Sequence, residues 1–261
     1  MDSKIIEYAS FCLNCIAKPC SKNGCPLSND IPAFIKCVKE NNIKEAYKIL
    51  SNTTVLGSIC SRICPYEKQC KGSCVRGIKG NPVNIPEIEK YVFDEAIKNG
   101  YDKEIEKKEE LKGKKIAIIG SGPAGLTCAS FLARNGASVT IYEKFGKLGG
   151  ILSNGIPDFR LPREVLDKTI KSIIDLGINI EQNKELGKNI KLEELESIYD
   201  AIFIGIGANV PIKMNIEGEN LNGVYGANTL LEENNHPSYK DKIVAVVGRR
   251  KCSNGCCKNY K

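Results

Sequence analysis

The chain has 261 residues, of which 42% are hydrophobic and 26% charged, values ordinary for a globular protein with room for two modest domains. Its formal charge is +7, but five basic residues and no acidic residue lie in the last fourteen positions, which excludes a basic nucleic-acid-binding domain. No segment reaches the about 18 uncharged apolar residues of a membrane helix, and the N-terminus lacks signal-peptide character, so we expect a cytoplasmic protein that binds neither nucleic acid nor membrane.

Thirteen cysteines are unusual for a chain of this length, and nine of them lie between Cys12 and Cys74. This clustering predicts a cysteine-rich domain over residues 1–100. In the cytoplasm such cysteines serve more often as metal or redox ligands than in disulfides. The first set has the spacing C-x2-C-x4-C-x4-C-P and comprises Cys12, Cys15, Cys20 and Cys25. The second set has the spacing C-x3-C-x5-C-x3-C and comprises Cys60, Cys64, Cys70 and Cys74.

The two sets favour iron–sulfur clusters over a zinc site. Soft thiolate ligands select zinc, copper(I) or iron–sulfur clusters, and these cysteines are too many for one zinc ion. Pro26 and Pro65 directly follow cysteines, as in the C-P run of ferredoxins, although the other spacings differ. We therefore expect two 4Fe–4S clusters, with a zinc-binding or structural-cysteine domain as the alternative.

The sequence between and after the cysteine sets predicts helices. Apolar residues at i, i+3, i+4 and i+7 begin at Ile31 and again at Ile43, and Asp30 is a suitable N-cap. A third helix is expected over residues 86–98. The N-terminal domain is therefore predicted to be all-α, with Cys37 in its core rather than among the ligands.

A highly charged segment, residues 101–113, follows and is interpreted as a linker or solvated helix. An apolar β-run over 114–119 then leads into a Gly-x-Gly-x-x-Gly motif, a helix, and a second strand over 138–142 that ends at Glu143. In this strand–turn–helix–strand order the motif strongly indicates a dinucleotide-binding, Rossmann-like fold. The first glycine makes the tight turn, the second admits the pyrophosphate, and the third lets helix and strand pack closely. These glycines are Gly120, Gly122 and Gly125.

Residues after the motif add to the nucleotide site. Glu143 can accept hydrogen bonds from ribose hydroxyls, which disfavours a 2′-phosphate and favours FAD or NAD over NADP. The pair Gly149–Gly150 would let the chain pass close to a flavin. The single histidine, His236, lies in a polar loop, and we predict no catalytic role for it.

The rest of the second domain is predicted to alternate helix and strand. A helix is expected over 163–176, a strand over 178–182, and a buried strand within 199–208 that ends in Gly-x-Gly-Ala. Together these elements predict an α/β nucleotide-binding domain over residues 114–240, with Cys128 in its core.

Motifs from both domains resemble, in the same order, those of the small (beta) subunit of NADPH-dependent glutamate synthase and of the N-terminal module of dihydropyrimidine dehydrogenase. They are CLNCIAKPCSKNGCP, ICSRICPYEKQCKGSCVRGIKG, GSGPAG and EKFGKLGG…GIPDFRLPREV. The resemblance covers roughly residues 8–248. It implies an electron path from NADPH through FAD and two 4Fe–4S clusters to a partner flavoprotein, which in glutamate synthase is the large subunit.

The resemblance also implies the cluster ligands. One cluster would be held by Cys12, Cys15, Cys20 and Cys74. The other would be held by Cys25, Cys64, Cys70 and a carboxylate, Glu89. Cys60 then corresponds to a non-ligand cysteine, although its spacing alone would make it a candidate. A carboxylate is a harder ligand than a thiolate, so the two clusters should differ in reduction potential.

The flavin contacts implied by the resemblance lie on the glycine loop, on the segment after the second strand, and at two later positions. They are Gly120, Gly122, Pro123, Ala124, Gly125, Glu143, Lys144, Gly149, Gly150, Ile151, Arg160 and Leu186.

The segment after Gly248 departs from the family. Residues 241–248 would be the first strand of an NADPH-binding domain, whose expected continuation is G-G-N-V-A-M-D-A-A-R. The chain reads RRKCSNGCCK instead, and permitted codons for that segment give the expected residues when one base is dropped. We therefore interpret residues 249–261 as a frameshifted tail and expect no metal binding there, by Cys252, Cys256 and Cys257. On this interpretation the FAD domain is incomplete, flavin binding is weak, the NADPH site is missing, and NADPH-driven turnover is absent.

Three alternatives to a glutamate synthase-type subunit stay open. The chain could serve another complex, of the sulfide dehydrogenase or transhydrogenase type. It could be a non-enzymatic iron–sulfur carrier or interaction module. It could also be a zinc-binding regulator with a vestigial nucleotide fold. Iron and zinc content distinguish the last alternative from the others.

Overall fold

A computed structural model describes residues 2–208, 210, 212–233 and 238–247. An all-helical N-terminal part precedes a four-stranded parallel sheet with helical connections, which confirms the predicted α/β class and the order of the two folds. Among the described helices, none combines the length and the apolar content needed to cross a membrane.

The N-terminal part is built on five α-helices. Asp30 caps the second helix as predicted, its Oδ1 accepting a hydrogen bond from the Ala33 N–H at 3.3 Å. The apolar faces of the helices meet in one core, in which Phe34, Leu50 and Ile88 are fully buried. The helices are α1 (Ser3–Ser10), α2 (Ile31–Lys39), α3 (Ile43–Ser51), α4 (Gly57–Ile63) and α5 (Ile85–Asn99).

The second part is a parallel sheet in the order β3-β2-β1-β4. Its strands are β1 (Lys115–Ile119), β2 (Ser138–Glu143), β3 (Asn179–Gln182) and β4 (Ala201–Ile204). Its helices are α6 (Pro123–Arg134), α7 (Ile151–Asn154), α8 (Arg163–Ile174), α9 (Leu192–Glu196) and α10 (Ala227–Glu233). The β1–α6–β2 unit places the glycine motif at the carboxyl end of β1, where nucleotides bind in folds of this kind.

Two sequence predictions about the last strands are wrong. The strand predicted as buried is β4, which lies at the sheet edge, and its residues Phe203 and Ile204 are 36% and 54% exposed. An edge strand has one neighbour instead of two, so an apolar sequence alone cannot bury it. The described residues 242–247, predicted to form a strand, have no regular secondary structure, because no neighbouring strand pairs with them.

The two parts share a hydrophobic core, and the segment that connects them is hydrogen-bonded to the nucleotide domain. Val55, Leu56 and Ile59, from the N-terminal part, are buried in the same hydrophobic cluster as β1, α6 and α8. The charged segment 101–113 is not a free linker, since the Lys108 N–H donates to the Arg134 carbonyl at the end of α6 at 2.8 Å. The predicted domain boundaries remain predictions, but the packing couples the two parts closely.

The contact between α4 and α5 generates a stability prediction. A Cβ on Gly57 would lie 1.9 Å from the Phe93 ring, and this ring is buried and packed edge-on against Tyr47 at 5.4 Å. Because the ring cannot move aside, we expect Gly57→Ala to lower the free energy of unfolding by about 1–3 kcal/mol. The measurement is urea unfolding. Gly80→Ala is the control, since its nearest neighbour would be 3.8 Å away, and equal losses in the two variants would contradict the packing argument.

Candidate functional site

Four predicted ligands line one pocket of the N-terminal part. The pocket encloses about 360 Å³, counting the portion open to solvent, and its other walls are largely apolar. Cys20 lies at the start of a short π-helix, an irregular turn often found at functional sites. We call these four residues the first thiol site. They are Cys12, Cys15, Cys20 and Cys74.

The thiols of the first site are electrostatically coupled. Burial, followed by the charges of Cys12 and Cys74, raises the pKa of the Cys20 thiol to about 11. The Val83 N–H points at the Cys74 sulfur at 3.5 Å, a contact that stabilises negative charge on it. The Cys12 and Cys74 sulfurs therefore lie close to the Cys20 thiol, and a positive iron centre would reverse the effect on Cys20 by binding the thiolates.

A second set of predicted ligands lies around Cys70, in the segment that connects α4 to α5. We call these residues the second thiol site. Burial first, then the Glu89, Cys25 and Cys64 charges, raise the pKa of the Cys70 thiol to about 12. A Cβ on Gly24 would lie 2.8 Å from the Cys70 Cα, so the glycine lets the segment carrying Cys25 approach Cys70. The members are Cys25, Cys64, Cys70 and Glu89.

Glu89 is the least expected member of this set on physical grounds. Its side chain is buried in α5, and burial, with a contribution from Cys64, raises the pKa of its carboxyl to about 8. Its Oε1 makes no hydrogen bond to any described residue. A buried polar atom without a partner is costly, and it fits an oxygen ligand aimed at a metal centre.

The geometry does not by itself assign the ligands. No group of three or more His, Cys, Asp or Glu side chains in the described residues converges as a single metal ion would require. Nor does a disulfide join the cysteines that the structure describes. Both sets bring together the residues grouped by the sequence resemblance, and their role as cluster ligands stays a prediction.

The glycine loop has the geometry expected of a dinucleotide turn. Gly120 has φ +98°, and a Cβ there would lie 2.5 Å from the Gly205 carbonyl oxygen. A Cβ on Gly125 would lie 1.9 Å from the Gly120 carbonyl oxygen, so helix and strand pack closely only with glycine there. A Cβ on Gly122 would meet nothing within 4 Å, which leaves open space for a ligand at the start of α6. Pro123 and Ala124 open that helix.

Ser121 stabilises this loop through hydrogen bonds, although the sequence did not predict it as a site residue. Its N–H and its hydroxyl donate to Glu143 Oε2 at 2.9 and 2.5 Å, and its Oγ accepts from the Gly149 N–H at 3.0 Å. Glu143 Oε1 accepts from the Phe145 N–H at 3.0 Å. A carboxylate has about four acceptor positions, so one position on Glu143 remains for a ribose hydroxyl. The only sequence signal for Ser121 is its place between the first two motif glycines.

The structure brings only some of the other predicted flavin contacts close to the glycine loop. Gly149 and Gly150 have φ +108° and +52°, and a Cβ on Gly150 would lie 3.0 Å from the Gly122 Cα, so the two glycine segments meet. Leu186 packs in a small cluster with Ile119, at the end of β1. Three further predicted contacts are an exposed lysine, an exposed isoleucine and a half-buried arginine: Lys144, Ile151 and Arg160.

Three cysteines outside the predicted ligand sets are partly buried. Cys37 and Cys128 pack against the first and second cores, as expected of core residues. A hydrogen bond to Cys64, together with burial, raises the pKa of the Cys60 thiol well above its usual range. Other predictions lie outside the described residues, namely those for the frameshifted tail, for Gly248, and for His236, Cys252, Cys256 and Cys257.

Comparisons with known proteins match both parts of the chain. Residues 1–101 match the family model for dihydropyrimidine dehydrogenase domain II, 4Fe-4S cluster, and residues 114–249 match that for pyridine nucleotide-disulphide oxidoreductases. These matches confirm the predicted iron–sulfur and nucleotide-binding families.

The chain also resembles individual proteins. It is 37% identical over 219 residues to the glutamate synthase (NADPH) small chain of Escherichia coli, covering 84% of this chain and 46% of that one. It is 39% identical over 202 residues to subunit PreT of the E. coli NAD-dependent dihydropyrimidine dehydrogenase, covering 77% and 48%. The chain thus spans about half the length of these relatives. A solved structure of 2-naphthoyl-CoA reductase is 24% identical, with TM-score 0.47 over 81% of this chain and 28% of that one.

The Ser121 contacts generate a prediction for the loop. Ser121→Ala removes one donor to the buried Glu143 carboxylate and the acceptor for the Gly149 N–H. We expect a loss of about 1–3 kcal/mol in the free energy of unfolding, because buried polar groups are left unpaired. Ser197→Ala, which removes an exposed hydroxyl at the end of α9, is the matched control in urea unfolding. A variant at Ser121 as stable as this control would show that the loop does not depend on the hydroxyl.

Proposed function

The chain belongs to the pyridine nucleotide-disulphide oxidoreductase family and carries a 4Fe–4S domain of the dihydropyrimidine dehydrogenase type. From this premise we propose that it contributes the FAD and the two 4Fe–4S clusters of an electron path that begins at NADPH and ends at a partner protein. The observation that carries the proposal is the gathering of eight predicted ligands into two sets, the second of which lies beside the nucleotide domain. When bound, FAD would take up a hydride and release its two electrons one at a time, as clusters of this kind require.

The residues of the second thiol site would form the entry point for electrons. Cys64 directly follows α4, whose residue Ile59 is buried in the core of the nucleotide domain. Ile63, next to Cys64, packs against the same core. This packing holds the second site at a fixed position relative to the glycine loop. It supports an electron path in which the second site lies nearer the flavin than the first.

The first thiol site would form the exit. Its pocket is bordered by Leu13 and Arg76, and Leu13 is 60% exposed. Ile16 and Ile78, on the segments that carry Cys15 and Cys74, are 98% and 76% exposed. Exposed apolar side chains around a redox site are typical of a surface that a partner protein covers.

We propose that this partner is a flavoprotein of the glutamate synthase large-subunit type. The alternatives within the same mechanism are partners of the sulfide dehydrogenase or transhydrogenase type. The thiols of both sites need a reducing compartment to stay available as ligands, so we propose a cytoplasmic location.

The nucleotide domain would hold FAD through its backbone. The open space at Gly122 and the first N–H groups of α6 suit a pyrophosphate, whose charge the helix N-terminus favours. The remaining acceptor position on Glu143 would take a ribose hydroxyl. Lys144, Ile151, Arg160 and Leu186 are proposed as the further contacts.

Metal content tests the cluster proposal. Anaerobic reconstitution of the full chain should give about eight irons per chain, four for each cluster. Cys20→Ala and Cys64→Ala should each lose about four irons, because each removes a ligand from a different site. Cys37→Ala, which alters a core cysteine, should keep all of them. One or two zinc ions per chain in place of iron would support a zinc-binding regulator instead.

Flavin binding tests the nucleotide proposal. Gly122→Ala adds a methyl group where the structure has open space, so we expect stability to stay within about 1 kcal/mol of the parent. The same methyl group would occupy the proposed pyrophosphate position, and we expect FAD affinity to fall about tenfold or more. Flavin retained on the protein after filtration measures the affinity.

A contrasting variant separates ligand contact from folding. In Gly125→Ala the new methyl group would meet the Gly120 backbone oxygen at 1.9 Å, so this variant should lose stability as well as flavin. A Gly122→Ala chain that binds FAD as tightly as the parent would contradict the proposed pyrophosphate position.

A further inference from the structure

The first thiol site is bordered by segments that are strongly basic. Residues 11–24 and 71–80 supply most of the pocket lining, and they carry five basic residues and no acidic residue. Over the rest of residues 1–247, acidic residues outnumber basic ones. The positive charge of this part of the chain is therefore concentrated on the segments that border the pocket.

Much of this charge is not neutralised within the chain. Lys18 pairs with Asp30 at 2.6 Å and Lys71 pairs with Glu67 at 2.7 Å. Four other basic side chains, three on these segments and one on α2, form no ion pair with any residue that the structure describes. We call these four residues the basic rim. They are Lys22, Lys39, Arg76 and Lys79.

Two members of the basic rim contact the first of these segments. The Lys39 Nζ, on α2, donates to the Cys12 carbonyl at 2.7 Å. The Arg76 guanidinium lies over the Phe11 ring, 4.9 Å from its centre. The Lys39 ammonium has three donors, so two remain for a partner. Because Cys12 and Arg76 both line the pocket, this positive charge lies directly at its edge.

Exposed apolar side chains lie on the same two segments. Leu13, Ile16 and Ile78 are each more than half exposed, and apolar surface in contact with water is unfavourable. The Lys18–Asp30 ion pair lies just after Ile16 and holds the first segment against the start of α2. A surface that is already fixed loses little conformational entropy when a partner covers it.

We propose that this surface docks an acidic redox protein, whose carboxylates pair with the basic rim and whose apolar centre covers Leu13, Ile16 and Ile78. The inference rests on the proposed function, because it requires a cluster at the first thiol site. It adds the chemistry of the partner, whose docking face is negative at its edge and apolar at its centre.

The combination of charge and apolar area favours a protein partner. Protein interfaces combine an apolar core with a polar rim, whereas a phosphate backbone offers no apolar surface to cover an exposed isoleucine. Electron-transfer partners form small, transient interfaces, and opposite charges steer their encounter. Since a reduced cluster would release its electron at this pocket, the partner must also carry an electron acceptor.

The test is electron transfer from the reconstituted full chain to two acceptors of opposite charge. Plastocyanin is acidic and cytochrome c is basic, and each takes up one electron at its metal and no proton. The chain is reduced with dithionite, the excess reductant is removed, and the chain is mixed with each acceptor by stopped flow. In each step one reduced cluster loses one electron, and the colour change of the copper or haem gives the rate.

The parent chain should distinguish the two acceptors. At low ionic strength we expect plastocyanin to be reduced about tenfold faster than cytochrome c or more, because opposite charges raise the association rate. About 0.2 M salt should remove most of this difference by screening the exposed charges.

Charge-reversal variants locate the docking surface. Lys22→Glu and Lys79→Glu should each lower the plastocyanin rate about three- to tenfold at low ionic strength. Lys191→Glu is the matched control, because Lys191 is an exposed lysine at the start of α9, and it should keep the parent rate within about twofold. Ile16→Ser should lower the rate at high salt as well, since salt does not screen an apolar contact. All four variants should keep the iron content of the parent, which is measured first.

Three results would overturn the inference. Equal rates for the two acceptors in the parent would show that the surface does not select an acidic partner. An effect of Lys191→Glu as large as that of Lys79→Glu would trace the rates to net charge. Binding of the parent to vesicles of phosphatidylcholine and phosphatidylserine, lost in Lys79→Glu, would assign the surface to a membrane instead. Failure of the proposed function has a separate signature, since the parent would then take up no cluster and reduce neither acceptor.

Discussion

Helix α4 is the element on which the rest of the arrangement depends, because it is packed on both sides. Towards α5, Gly57 lies against the Phe93 ring, and Arg62 forms a two-bond ion pair with Asp94 at 2.8 and 2.7 Å. Towards the nucleotide domain, Ile59 is buried in the core of the second part. A helix fixed on two faces cannot shift without disturbing both cores. Its C-terminal end, where Cys64 of the second thiol site lies, is therefore held at a defined position against the nucleotide domain.

Much of this organisation could be predicted from local sequence, and the rest could not, for physical reasons. The glycine motif was informative because backbone geometry at Gly120 and Gly125 admits no side chain, and this requirement is local. The burial of β4 was predicted wrongly because burial depends on what lies beside a strand. The sharing of Ile59 between the two parts, and the role of Ser121, likewise arise from contacts between segments far apart in sequence.

The two thiol sites differ in ways that bear on the direction of electron flow. The first site consists of thiols around a pocket open to solvent, whereas the second combines thiols with a buried carboxylate on α5. Ligand hardness influences cluster potentials, and it differs between the two sites because only the second includes a carboxylate. Two chemically equivalent sites would give electrons no preferred order. The asymmetry is therefore consistent with a relay that has an inner and an outer member.

Glu89 is the residue that packing alone explains least well. A buried carboxyl with one unpaired oxygen weakens a helical core, and a leucine of similar size would pack in α5 without that cost. Such a group is compensated only if a ligand supplies the missing partner. The Cys70 thiol is close enough to Glu89 to interact with its charge, which makes ionisation of that thiol harder when no cation is bound, and Cys64 in turn adds to the raised pKa of the Glu89 carboxyl. A positive centre among these groups would relieve both unfavourable interactions at once. The second thiol site is thus unfavourable as a purely structural feature, and binding of an iron–sulfur cluster would make it favourable.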